Sequence, residues 1–318
     1  MTQAPFESPQ SRLTPYQRRL LIFLSVATFF EGYDFLALAQ VLPALRASFE
    51  IGKVSAGILF TVVNAGTVIA YVLVRKADQW GRRRVLATTI AGYAVFTGLS
   101  GLAPNVYAFG LLQLCARIFL IAEYATSMVV ASEEFPAARR GMALGVIQTF
   151  SSLGAIVCAG VVPKLVETSY GWRSVYFVGL LPLVILAYAR RSLRETERFT
   201  AQAAAKAHDP HRFFQILRGP YRTRVLQLGA IWFLSYLTMQ NAISFWKDYA
   251  LTEAGLTEAQ AGRAIALGAV VSLPLLAGTG KLLDVLGRRH GAALVFGLGS
   301  LGVFGCYSAS AMPVLVVS

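Results

Sequence analysis

Nine runs of mostly apolar residues divide this chain: about 19–43, 54–75, 85–103, 106–131, 141–163, 173–190, 224–246, 259–282 and 290–310. A helix needs roughly 17–25 such residues to cross ~30 Å of hydrocarbon at 1.5 Å per residue. In lipid, each backbone N–H and C=O must be satisfied within its own segment, which leaves helices or closed barrels. Unbroken runs, rather than alternating ones, predict an all-α polytopic membrane protein. The segment MPVLVVS at 312–318 reads as the start of a tenth span. Charge is scarce in the way this requires: 14% of residues are charged, against about 25% in soluble domains.

The runs set the domain boundaries. Residues 1–18 form a polar tail, 19–190 a six-helix transmembrane domain, 191–223 a charged central loop, and 224–318 a shorter transmembrane domain. The first run holds two acids and no small-residue cleavage site, so a removable signal peptide is not expected. The net charge of +13 could point to nucleic acid, but its distribution argues otherwise. With the N-terminus inside, 22 of the 29 Lys and Arg residues fall on the inner side, six on the outer side, and Arg117 inside a span. That bias places the N-terminus in the cytoplasm and accounts for the charge without nucleic acid. Cys115, Cys158 and Cys306 lie inside apolar runs without metal-ligand spacing and read as small buried hydrophobes. His208, His211 and His290 form no metal or catalytic constellation, so neither metal nor cofactor is expected. No nucleophile–base pair supports a membrane-embedded enzyme.

The loop after the second run reads VRKADQWGRRR, and the loop after the eighth reads GKLLDVLGRRH. Each holds an acid, a glycine three residues on, then two arginines: Asp78, Gly81, Arg82, Arg83 and Asp284, Gly287, Arg288, Arg289. A repeat of this kind implies two homologous helical halves. It resembles the loop signature of the major facilitator superfamily, Gly-x-x-x-Asp-(Arg/Lys)-x-Gly-Arg-(Arg/Lys). The second copy fits with Gly280 in first place, whereas the first has Val74 for the glycine and Gln79 for the base. EEFPAARRG (133–141), GWR (171–173) and RETERF (194–199) extend the resemblance. It implies a twelve-helix fold in two halves, of which this chain holds the first complete and about three helices of the second, and so looks truncated. It further implies that Asp78, Gly81, Arg82, Asp284, Gly287 and Arg288 form a cytoplasmic gate, with Asp284 facing the start of the fifth span near Gly141. As topology determinants alone, the arginines would be explained but the acids would not.

Glu31 and Asp34 stand three residues apart, hence on neighbouring positions of one helix face, close to mid-depth of the first span. Arg117 lies at comparable depth in the fourth span. Glu123 follows six residues later, about 9 Å nearer the cytoplasm. A charge at that depth costs about 2.5–3.5 kcal/mol on insertion scales, so these residues should face a cavity or one another. The expectation is ion-pair or water-bridged reach between Arg117 and Asp34 or Glu31. Two roles stay open. The four residues could form a static ion network between two helices. Alternatively, burial favours the protonated carboxylate and an arginine the ionised one, so a carboxylate poised between them could load and unload protons, with Glu123 a second station. The planar fork of Arg117 would suit a substrate carboxylate.

Glu-Gly-Tyr-Asp in the first span resembles the Asp-Gly-x-Asp of aromatic acid:proton symporters and related organic acid and nicotinate carriers. That implies proton-coupled symport of small organic acids through the cytoplasmic (inner) membrane. The drug-antiporter pattern of the fifth helix is not matched. Weaker cavity candidates are Asn64, Gln148, Tyr236, Gln240 and Asn241, with Tyr33, Tyr124 and Trp246 divided between cavity and packing roles. The implied partners are the bilayer, a small-molecule substrate and protons, with a full-length chain monomeric. Alternatives are a sugar or other metabolite porter of the same superfamily, and a non-transporting fragment or interaction subunit.

Overall fold

A computed structural model of the chain describes residues 13–181, 195, 200, 219–220 and 222–308. Among the described residues the regular elements are all helical. They are α1 (Pro15–Phe49), α2 (Lys53–Trp80), α3 (Arg82–Ser100), α4 (Val106–Glu134), α5 (Ala137–Val166), α6 (Arg173–Val178), α7 (Arg222–Ser235), α8 (Asn241–Thr252), α9 (Glu258–Leu286) and α10 (Arg288–Ser308). A π-helical turn at Tyr236–Gln240 joins α7 to α8. Among the described residues, five segments are long and apolar enough to cross a membrane: Pro15–Phe49, Lys53–Arg75, Val106–Glu134, Arg139–Val166 and Arg289–Ser308. The expected central loop falls almost wholly outside the described residues, as do MPVLVVS, His208 and His211.

Most helices overrun the apolar runs by several residues, and the starts of α1, α4 and α9 are set by side-chain caps. Thr14 Oγ1 accepts from Gln17 N–H (3.2 Å) while Gln17 Oε1 accepts from Thr14 N–H (3.1 Å). This reciprocal box, with Pro15 in the first helical position, starts α1 before the apolar stretch begins. Asn105 Oδ1 accepts from Ala108 N–H to open α4, and Thr257 with Gln260 forms a capping box for α9.

The two repeated loops turn in the same way. Gly81 adopts φ 92°, ψ 148° and Gly287 φ 76°, ψ 150°. This region is essentially closed to residues with a Cβ, so each motif's glycine permits two helices to meet within one residue.

The chain divides into two compact units. The first comprises residues 1–34, 51–155 and 173–206. In it α4 packs against both α2 and α3. Backbone touches backbone where glycine allows: a Cβ on Gly32 would strike the Ser151 carbonyl, and one on Gly154 the Phe29 carbonyl. These close approaches of α1 and α5 are the small-residue contacts that membrane helices use. Gly66 of α2 similarly admits the Arg117 stem of α4.

The second unit comprises residues 35–50, 156–172 and 207–318. Trp246, Ala250, Ala261 and Ala264 form its buried cluster, joined by Leu251, Leu256, Ile265, Cys306 and Tyr307. Tyr307 Oη donates to the Ala242 carbonyl (2.7 Å) and Tyr249 Oη to the Tyr307 carbonyl (2.9 Å). Gly262 meets Pro163 and the Ala159 carbonyl.

Candidate functional site

The first unit holds a group of buried charges. Glu31 and Arg117 are each 7% exposed and Glu123 is fully buried. Asp34 is half-buried as a residue, yet both its carboxylate oxygens are sealed from solvent. The Arg117 guanidinium acts electrostatically on both Glu31 and Asp34, and Glu31 also feels Glu123. The four residues expected from the sequence are thus brought together, from α1 and α4. Hydrogen bonding within the group is incomplete. Both Asp34 oxygens, Glu31 Oε2 and Glu123 Oε2 are buried without a hydrogen-bond partner, while Glu123 Oε1 accepts from Ser127 Oγ at 2.6 Å. Thr97 of α3 adjoins Asp34 without meeting hydrogen-bond geometry.

The local fold explains the grouping. Glu31 and Asp34 flank Gly32 and Tyr33 on α1, where the Gly32 and Gly154 contacts hold α1 against α5. Tyr33 is itself buried, and its hydroxyl donates to the Val175 carbonyl at 3.4 Å. It packs there against α6. Tyr93 of α3, missed in the sequence, is fully buried beside the acids, and its hydroxyl has no hydrogen-bond partner. No local signal marks it, since an aromatic residue in an apolar run is ordinary.

The weaker candidates separate. Gln148 Oε1 accepts from Tyr124 Oη at 2.9 Å, and Asn64 is exposed on α2. In the second unit Tyr236 and Gln240 lie on the π-helical turn and Asn241 just beyond it. Asn241 Nδ2 donates to the Leu237 carbonyl (3.0 Å), and Tyr236 leans on Trp232 with ring centroids 5.8 Å apart. Such turns leave backbone groups to be satisfied locally and recur at functional sites. Trp246 belongs to the buried cluster and packs.

At the turn between α2 and α3, Arg82 is 4% exposed. Its Nη2 lies 3.1 Å from Glu133 Oε1, its Nε 3.3 Å from Glu133 Oε2, and its Nη1 donates to the Ala77 carbonyl. Glu195 Oε1 accepts from the N–H of Arg82 at 2.7 Å, and both its oxygens accept from Arg83 N–H. The carboxylate therefore caps the positive end of α3. Three segments singled out separately in the sequence, GRRR, EEFP and RETERF, meet here. The side chains of Asp78, Asp284 and Arg288 lie outside the described residues.

The second unit contains charges that the topology count assigns to outer loops. Arg46 Nη1 sits 2.6 Å from both Asp248 carboxylate oxygens. Lys247, 1% exposed, donates to the Gln40 carbonyl at 2.6 Å and pairs with Glu258 at 2.8 Å. These residues tie α1, α8 and α9 into one cluster.

A family model described as Major Facilitator Superfamily matches residues 24–318. The sialic acid transporter NanX of Escherichia coli is 28% identical over 66% of this chain and 51% of its own length. The gallate transporter of Pseudomonas putida is 27% identical over 61% of this chain and 44% of its own. The chain thus matches about half the length of these curated relatives. A crystal structure of a D-xylose–proton symporter superposes with TM-score 0.71 at 17% identity, covering 95% of this chain and 78% of that one. At that identity the likeness concerns the fold.

Proposed function

This chain belongs to the Major Facilitator Superfamily, and on that premise we propose that it carries small organic anions with protons across the cytoplasmic membrane. The N-terminus lies inside, and transport proceeds by alternating access. Arg117 binds the substrate carboxylate through its planar fork. Glu31 and Asp34 take up and release the coupled proton, and Glu123 is a second proton station. The two D-x-x-G-R-R turns form the cytoplasmic gate.

One observation carries the reading. Four carboxylate oxygens from Glu31, Asp34 and Glu123 are buried without hydrogen-bond partners around Arg117. A static network would satisfy its acceptors, because an unmet buried polar group costs about 1–3 kcal/mol or more. Fully ionised, three acids and one arginine carry an excess negative charge, which is costly in a low-dielectric interior. Protonation of the acids relieves it, which is what a proton-coupled carrier of anions requires. An uncharged sugar would leave these groups unused. The relatives named for sialic acid and gallate transport carry organic acids, in keeping with this substrate class.

Uptake of a labelled aromatic acid into vesicles under an imposed pH gradient tests the proposal. Asp34→Asn, Glu31→Gln and Arg117→Gln should each reduce gradient-driven uptake at least about tenfold, which is a ~1.4 kcal/mol effect. Uptake unchanged by all three would remove the mechanism.

A further inference from the structure

The second unit is assembled from two distant parts of the chain: the ends of α1 and α5, and the helices α7–α10. Charged side chains join the two parts. Arg46 of α1 meets both carboxylate oxygens of Asp248 on α8. The next residue, Lys247, donates to the Gln40 carbonyl of α1 and pairs with Glu258 at the start of α9. From α5, the Ala159 carbonyl and Pro163 lie against Gly262 of α9. Cys158 is fully buried on α5, close enough to Lys247 to act on it electrostatically.

The make-up of this contact suits separation. Parting an apolar seal exposes hydrocarbon to water, which is unfavourable in proportion to its area. Here the residues beside the ion pairs are small, with Ala159, Ala250, Ala261, Gly262 and Ala264 among them. An ion pair behaves differently, because its Coulomb gain is largely offset by the desolvation of both charges. Two such pairs released together into water therefore cost little. Glu258 also keeps a favourable place when released, in the first turn of α9, where the helix dipole suits an acid. Gln40 and Trp246, sequence and contact neighbours of these charges, are 2% and 8% exposed, yet Gln40 Oε1 and Trp246 Nε1 have no hydrogen-bond partner. Such groups are costly while buried and gain water when the helices part. A permanent strut would satisfy them.

We propose that Arg46–Asp248 and Gln40–Lys247–Glu258 form an outer latch, which closes α8 and α9 against α1 in one state and parts in every transport cycle. The latch presupposes the transport reading above with the N-terminus inside, which puts Arg46 and Lys247 on the outer face. It acts opposite the two cytoplasmic turns, so that one side is held while the other opens.

Two measurements test it. In the first, Cys115→Ala with Cys306→Ala leaves Cys158, near the outer end of the fifth apolar run, as the one thiol of the full chain. A membrane-impermeant maleimide added outside intact cells should label it slowly. Asp248→Asn with Glu258→Gln should speed that labelling about tenfold, a ~1.4 kcal/mol shift toward the open form. The same reagent on inside-out vesicles should show no such rise. A rise at neither face, or an equal rise at both, would overturn the latch.

The second measurement does not depend on weakening the contact. Arg46→Cys with Asp248→Cys, in a chain whose three native cysteines are alanine, is joined by a short bis-methanethiosulfonate linker matching the reach of the arginine. Linking should cut gradient-driven uptake of a labelled aromatic acid at least about tenfold, and reduction of the linker should restore it. Uptake undiminished by the link would overturn the latch, since a static strut tolerates being tied. Absence of uptake by the native protein would instead remove the transport reading, and the labelling of Cys158 would still decide whether the outer contact opens.

Discussion

Arg46 of α1 and Asp248 of α8 form a bidentate contact, with Nη1 2.6 Å from each carboxylate oxygen, across 202 residues of sequence. Their side chains are 17% and 8% exposed. Removing one partner of a buried pair costs roughly 3–5 kcal/mol, because the other charge is stranded. Arg46→Ala and Asp248→Ala should therefore each lower the melting temperature in detergent, while the exchange Arg46→Asp with Asp248→Arg recovers most of the loss. Additive losses in the exchange variant would contradict the pairing.

Next to it, Lys247 and Glu258 are unequal partners. Lys247 is 1% exposed whereas the Glu258 side chain is 30% exposed. Lys247→Met leaves a carboxylate that water can reach, and methionine fills the space. Glu258→Ala leaves a buried ammonium with only the Gln40 carbonyl. The glutamate variant should thus be the less stable of the two, by about 1–3 kcal/mol. A thermal melt showing the reverse order would overturn this account.

Gly32 and Gly154 set the distance between α1 and α5. Gly32→Ala and Gly154→Ala should each sharply reduce the recovery of monodisperse protein. Gly145 and Gly160 of α5 face open space, with nothing within 4 Å of where a Cβ would stand. Gly145→Ala and Gly160→Ala should be neutral or stabilising, by up to about 1 kcal/mol of helix propensity. Size-exclusion profiles of the four variants give the comparison.

Gly81 and Gly287 share one strained backbone conformation, and alanine at either position should cost roughly 1–3 kcal/mol. Gly141→Ala, inside α5 with open space around it, is the control. Chemical denaturation of all three should separate the two turn glycines from the helical one.

Tyr93 offers a way to divide binding from packing. Its hydroxyl is buried beside three acids and makes no hydrogen bond. Tyr93→Phe should leave the melting temperature unchanged or raise it slightly, since no bond is lost. If that hydroxyl meets substrate or a moving proton, gradient-driven uptake should nevertheless fall several-fold. Uptake at the unaltered rate would assign Tyr93 to packing alone.

What local sequence determines here is what depends on neighbours in the chain. Helix identity follows from the length of the apolar runs, and the helix ends follow from capping residues such as Thr14, Asn105 and Thr257. The turn glycines show in the repeated motif, because only glycine tolerates that backbone. Glu31, Asp34 and Arg117 stand out because a charge in an apolar span is expensive enough to need a reason.

Tertiary structure decided what depends on which helices meet. Arg46 and Lys247 look like ordinary loop charges, yet both are ion-paired, one to a residue two hundred positions away. Tyr93 becomes notable only when α3 is laid against α1 and α4. Glu133 and Glu195 converge on the start of α3 from separate segments. Hydropathy and periodicity are properties of a single stretch of chain. Pairing energies belong to two stretches at once, and helix packing alone selects the pair.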